Sequence, residues 1–214
     1  MPLLKGRRSW VAVVFALMFF GSFSSLYADI VPTLFGTGVD ASGNPLPNGS
    51  VDPHYTAGGP LYTIGSPGSV GWVDNTLTSS WVSPVPNTLA GPGPFTYHTT
   101  FDLTGFLAST AQITGQLAAD DQATIYLNGV DVFDGAPDNT APWSFLQALT
   151  ISSGFISGIN TLDIYIPNNI EGSNDGPTGL QLNLTGTATP VPEPASVALL
   201  GLSVFALNFL RRRA

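Results

Sequence analysis

Cysteine is absent from this 214-residue chain, and lysine and arginine are absent from its whole interior. The first absence excludes disulfides, thiolate nucleophiles and cysteine-ligated metals together. The second is positional. The six basic residues are Lys5, Arg7, Arg8, Arg211, Arg212 and Arg213, and all 14 acids lie between those two groups. A body without cations repels nucleic acid, whose phosphates need lysine or arginine, and has no clamp for phosphorylated or anionic ligands. Imidazole is scarce too, with only His54 and His98 present, and no Gly-x-Ser-x-Gly elbow occurs, so no hydrolytic triad is legible. What is plentiful is Gly (24) and Pro (18), which break helices and predict short strands joined by turns.

The two ends read as addresses. Lys5, Arg7 and Arg8 precede an apolar run over 10–20 and a Leu26-Tyr27-Ala28 cleavage site, the three parts of a secretory signal over 1–28. At the other end Val191-Pro192-Glu193-Pro194 is followed by an uncharged stretch, 195–210, and then by Arg211-Arg212-Arg213-Ala214. As a helix that stretch is roughly 24 Å long against about 30 Å of hydrocarbon, a gap that snorkelling arginines close. The basic end should stay cytoplasmic and leave the body outside. This order of motif, transmembrane helix and basic stop resembles the PEP-CTERM sorting signal of Gram-negative bacteria, with Pro192-Glu193-Pro194 as its motif. The resemblance covers the last two dozen residues. It implies a membrane partner, an exosortase, that removes the tail of a protein bound for the cell surface. A plain C-terminal anchor is the alternative those residues also allow.

Between the addresses lies an expected domain over 29–187, with the sorting segment over 188–214. Its first third, to about residue 94, is loop-heavy, with strand candidates at 61–64, 70–73 and 80–82. Beyond it the alternation is regular. Residues 95–101, 111–117, 123–127, 130–133, 144–151, 160–166 and 179–185 read as strands, and Leu162, Ile164 and Ile166 share one face, as do Leu180, Leu182 and Leu184. Asn128-Gly129 accepts positive φ at both positions, as a type I′ hairpin requires. The expected fold is an all-β antiparallel sandwich. The succession Thr99-Thr100-Phe101-Asp102-Leu103, then Gly115 to Asp121 ending in Asp120-Asp121, then Ala123 to Gly129 ending in Asn128-Gly129, resembles galactose-binding-like jelly rolls. That resemblance covers about 95–187 and implies a jelly-roll architecture, of a kind that accompanies many glycoside hydrolases, without specifying a ligand.

Candidate chemistry is sparse. Asp120 and Asp121 are adjacent, so on a strand they point to opposite faces and cannot flank a glycosidic bond by themselves. They are read as turn-capping residues or, with Asp131, Asp134 and Asp138, as oxygen ligands for calcium. Asn168, Asn169, Glu171, Asn174 and Asp175 form a second oxygen-rich loop. Solvated acidic loops are the alternative for both. Flat sugar-binding rings are sought among Trp72, Trp81, Trp143, Tyr55 and Tyr62, although in a small sandwich most such rings are core or loop-packing residues. The expected function is therefore an exported, non-catalytic surface or extracellular-matrix protein that binds carbohydrate, such as exopolysaccharide. The alternatives are a purely structural matrix or biofilm protein, and a polysaccharide hydrolase using carboxylates brought together by the fold.

Overall fold

Where β-branched and aromatic residues alternate with polar ones between Gly- and Pro-rich turns, the chain forms strands. The computed structural model describes residues 27–168 and 176–192, with Ser203 and Arg211. Residues 28–190 form one compact unit, and residues 1–27 with 191–214 are assigned to a second. Most of the expected signal peptide, the expected membrane helix over 195–210, and Asn169, Glu171, Asn174, Asp175, Glu193, Pro194, Arg212 and Arg213 lie outside the described residues. Among the described residues no helix is long and apolar enough to cross a membrane.

The unit 28–190 is all-β and antiparallel. Its strands are β1 (Asp29–Ile30), β2 (Val51–Thr56), β3 (Pro60–Thr63), β4 (Val82–Ser83), β5 (Phe95–Asp102), β6 (Phe106–Asp120), β7 (Thr124–Leu127), β8 (Val130–Asp134), β9 (Gln147–Ile151), β10 (Ile159–Ile166) and β11 (Gly179–Pro190). They follow one path, β8-β7-β10-β5-β2-β3-β4-β11-β6-β9, with β1 added to β11. The path folds over on itself in a sandwich-like manner. Ile125 and Leu127 (β7), Leu162, Ile164 and Ile166 (β10), and Tyr97 and Phe101 (β5) pack in one core with Ile113 and Leu117 (β6), Leu149 and Ile151 (β9), and Leu180, Leu182 and Leu184 (β11). Each such aliphatic side chain removed from water contributes about 1.5–3 kcal/mol.

The regular strands fall where alternation places them, and Asn128 (φ +52°) and Gly129 (φ +78°) close the β7–β8 hairpin with the expected left-handed pair. The first third departs from expectation. Residues 70–73 are not a strand: a short 3₁₀ turn, Pro67–Val70, ends at Gly71 with φ +82°, and Trp72 follows it into the interior. β2 was not anticipated, because Pro53 argues against a strand. It pairs only near its ends, Val51 with Tyr62 and Thr56 with Pro60 and His98, so the missing proline N–H sits where no ladder bond is made. β6 and β11 run longer than their alternation suggests and pair from Gly179–Asp120 to Pro190–Phe106.

Candidate functional site

The two halves of the sandwich each have an outer face. On the β6–β11 half, Ala118, Asp120 and Gln181 point outward and are nevertheless buried, because residues 64–81 lie over them. Trp72 and Trp81 stack there with ring centroids 4.2 Å apart and form a second small core with Ile64 and Ala118, against which Trp143 and Leu146 pack. Polar tethers fix the cover. Trp72 Nε1 donates to Asp120 Oδ2 at 2.7 Å, Trp81 Nε1 donates to the Val73 carbonyl at 2.7 Å, and Gln181 Nε2 donates to the Ser79 carbonyl at 3.2 Å. Gly179, opposite Asp120 in register, makes the room: a Cβ there would stand 2.5 Å from Trp72 Cη2.

Asp120 is the electrostatic centre of this cover. Burial pushes its carboxyl up to about 7, with Asp121 and Asp138 acting in the same direction and the Trp72 N–H pulling it back. Thr178 Oγ1 also donates to the Asp120 carbonyl at 2.9 Å. The carboxylate therefore serves as a buried anchor for an indole, with 7% of the residue exposed.

Among the described residues the outer face of the other half is bare of any such second core. Pairing places Asp131 (β8), Tyr126 (β7), Asp163 (β10), His98 (β5) and Thr56 (β2) in one row across five strands. Asp134, Thr124, Tyr165 and Thr96 form the next row. Tyr165 lies opposite Thr124, and Tyr126 is two residues further along the same strand, so the two tyrosines are diagonal neighbours, about 7–8 Å apart by strand geometry. Within the rows, His98 Nδ1 and Asp163 Oδ1 are 2.6 Å apart and Thr124 Oγ1 donates to Asp134 Oδ1 at 3.0 Å. The face thus offers two phenol rings flanked by carboxylate, imidazole and hydroxyl groups, and carries neither lysine nor arginine.

The residues expected from sequence to carry function divide accordingly. Trp72, Trp81 and Tyr55 are interior: Tyr55 is fully buried and its hydroxyl donates to the Phe35 carbonyl at 2.8 Å. Their rings are not offered to a ligand at the surface. Trp143 and Tyr62 are half-buried. The acids proposed as calcium ligands do not come together as one set. Asp120 and Asp138 lie by the covered face, where Asp138 accepts from the Gln122 N–H, while Asp131 stands beside Tyr126 on the bare one. Among the described residues no group of three or more Asp, Glu or His side chains is arranged to hold a metal ion. Sequence reasoning passed over Tyr126 and Tyr165. The signal was present in strand parity: Tyr165 lies out of phase with Leu162, Ile164 and Ile166, and Tyr126 lies out of phase with Ile125 and Leu127.

Residues 190–214 match the PEP-CTERM protein-sorting motif. No curated protein matches the chain. Solved structures that resemble it are remote. One is a domain of family 36 carbohydrate-binding type from a multidomain xylanase of the Trinervitermes trinervoides hindgut metagenome, at 11% identity and TM-score 0.34, covering 57% of this chain and 86% of that one. Another is a family 29 carbohydrate-binding module complexed with mannohexaose, at 12% identity and TM-score 0.37, covering 75% and 92%. A third is a family 36 module in complex with calcium and xylotriose, at 11% identity and TM-score 0.32, covering 55% and 87%.

Proposed function

We propose that this chain is an exported, non-catalytic surface or extracellular-matrix protein whose sandwich holds a neutral polysaccharide on the bare outer face of β7, β10 and β5. The observation that carries the reading is the pair Tyr126 and Tyr165, diagonal neighbours on regular strands, with Asp131, Asp163 and His98 beside them. Phenol rings pack against the C–H faces of a sugar ring, while carboxylate and imidazole groups bond its hydroxyls. The absence of lysine and arginine between Ser9 and Leu210 directs the choice to uncharged chains, because an acidic glycan would meet several carboxylates there and no lysine or arginine.

The sorting motif at 190–214 supports export and an exosortase as processing partner. In this reading 1–28 is the signal peptide, 29–187 a galactose-binding-like jelly roll, 195–210 the helix that holds the tail in the inner membrane and Arg211 to Arg213 its stop. Exopolysaccharide of the producing cell is the ligand. The calcium expected at Asp120, Asp121, Asp131 and Asp134 is no part of this reading, because Asp120 is bonded to Trp72 on the covered face and Asp131 pairs beside Tyr126 on the other.

Retention of the protein on neutral-glycan affinity gels tests the site. Tyr126→Ala with Tyr165→Ala should weaken retention at least ~10-fold, equivalent to about 1.4 kcal/mol, while leaving the melting temperature within a few degrees. Undiminished retention would remove this face from the function. Intact-mass measurement on protein recovered from the cell surface tests the tail. The expected mass lacks the three arginines, and a surface chain still ending at Ala214 would make the tail a plain anchor.

A further inference from the structure

We infer that β9 is an assembly edge, which pairs antiparallel with β9 of a second copy of this chain. The strand path has two ends, β8 and β9, and they are finished differently. β8 carries the exposed acids Asp131 and Asp134, and its pairing with β7 shifts register between Ile125 and Tyr126. Charges and irregularities of this kind keep an edge from pairing further. β9 has neither. Gln147–Ile151 pairs with β6 in unbroken register, from Leu117 opposite Gln147 to Ile113 opposite Ile151. No charged residue occurs from Asn139 to Leu162, and no proline between Pro142 and Pro167.

What this edge presents is main chain. Leu149 and Ile151 are buried, and Val132 and Phe133 of β8 pack against the same core, so the interior is closed behind β9. Among the described residues the backbone of β9 bonds only to β6. Its other side keeps a row of N–H and C=O groups with no partner in the described fold, which is the template that strand addition uses.

The face beside the edge is as neutral as the edge itself. Register sets Thr150 beside Thr114 and Thr185, and Ala148 beside Gln116 and Asn183, in two rows across β9, β6 and β11. Their alternate neighbours Leu149, Leu117 and Leu184 are buried, which turns both rows outward. The rows of the other half hold Asp131, Asp134 and Asp163 instead.

Charge selects the occupant. The formal net charge is −8, and no lysine or arginine lies between Ser9 and Leu210. Two copies therefore cannot join their bodies through lysine or arginine ion pairs, and a contact between acid-bearing faces sets carboxylate against carboxylate. They can meet only where charge is absent. A two-fold contact sets one strand against itself, and β9 satisfies that demand. With Leu149 at the axis, position 148 stands opposite position 150 of the copy, a methyl beside a hydroxyl-bearing side chain with no like charges opposed. A charged peptide would gain nothing from this edge. The contact is small, because the strand has five residues, so the association is weak.

The absence of cysteine allows one label per chain. The full chain in detergent micelles is labelled with pyrene at Thr150→Cys, or at Thr100→Cys on the outer face of β5, and excimer emission is read at about 100 μM. The expected result is excimer emission from 150 and none from 100. It should rise at least about two-fold between ~0.01 and ~0.15 M salt, as the Debye length between the anionic bodies falls from roughly 30 to 8 Å. Ala148→Lys puts a guarding charge on an exposed edge position and should abolish the excimer while leaving the melting temperature within a few degrees. No excimer from 150 at that concentration, or equal emission from 150 and 100, overturns the assembly edge. Excimer emission that survives Ala148→Lys assigns the contact to stacked faces and overturns edge pairing. The comparison of 150 with 100 needs no lysine variant, so it decides even where Ala148→Lys unfolds.

Discussion

The two outer faces of the sandwich are built from the same kind of strand and end in opposite states. On the β6–β11 half the chain lays residues 64–81 over the sheet and spends two tryptophans on closing a second small core. On the β7–β10–β5 half no such second core is found among the described residues, and Tyr165 (37% exposed) and the half-buried Tyr126 stand beside an imidazole and several carboxylates. The comparison teaches that in this molecule the largest aromatics do not mark the exposed face. The largest rings stabilise a loop-rich segment that lacks a regular ladder of its own, and the rings on the outer face of the regular strands β7 and β10 are the smaller ones.

Breaking the covered face should have the largest effect. Trp81 is fully buried and is bonded through its indole to the Val73 carbonyl. Trp81→Ala should cost about 3–5 kcal/mol, a fall in melting temperature on the order of 10 °C for a domain of this size, read by calorimetry. Glycan retention of the fraction that remains folded should be unchanged, and parallel losses of both would mean that the two faces are not independent. Gly179→Ala should act on the same face by driving a methyl into Trp72, at about 1–3 kcal/mol.

A subtler separation uses pH. In the folded chain burial holds the Asp120 carboxyl up to about 7, whereas unfolding returns it to the ordinary carboxylate range. Between about pH 4 and pH 7 the folded state therefore holds a proton that the unfolded state has released. The contribution of Asp120 to stability is full at the acid end and declines as pH rises. Asp120→Asn should flatten that decline, by roughly 5 °C across the interval. A melting profile indifferent to the substitution would show that the carboxylate is not buried in solution. The smallest expected effect sharpens the bare face: Tyr126→Phe keeps the ring and removes only a hydroxyl, so retention should fall by no more than a few-fold, against at least ~10-fold for the double alanine variant.

Much of this was legible from composition and alternation. Leu162, Ile164 and Ile166, and Leu180, Leu182 and Leu184, announced inward faces by their period of two, and Asn128-Gly129 announced its hairpin, because both signals depend only on local backbone geometry. The sorting tail was legible for a similar reason, since motif, apolar run and arginines act through their order along the chain. The site was much less so. Trp72 and Trp81 stand in a Gly- and Pro-rich loop with no periodicity to assign a face, and Tyr55 stands on β2, a strand that Pro53 hid; only the folded path of residues 64–81 over Ala118 and Gly179 shows that the two tryptophans are interior. Asp120 and Asp131 look like neighbours in one acidic stretch, yet one is bonded beneath Trp72 and the other stands on the bare face beside Tyr126. Tyr126 and Tyr165 are far apart in sequence and become diagonal neighbours only through the β7–β10 register. By itself the sequence determined the all-β class, the principal strands, the absence of cationic chemistry and the address at the C-terminus, all of them set by local pattern. Tertiary structure alone decided which outer face carries a second core and which aromatics are buried beneath it, because each of these depends on contacts between segments that no local pattern encodes.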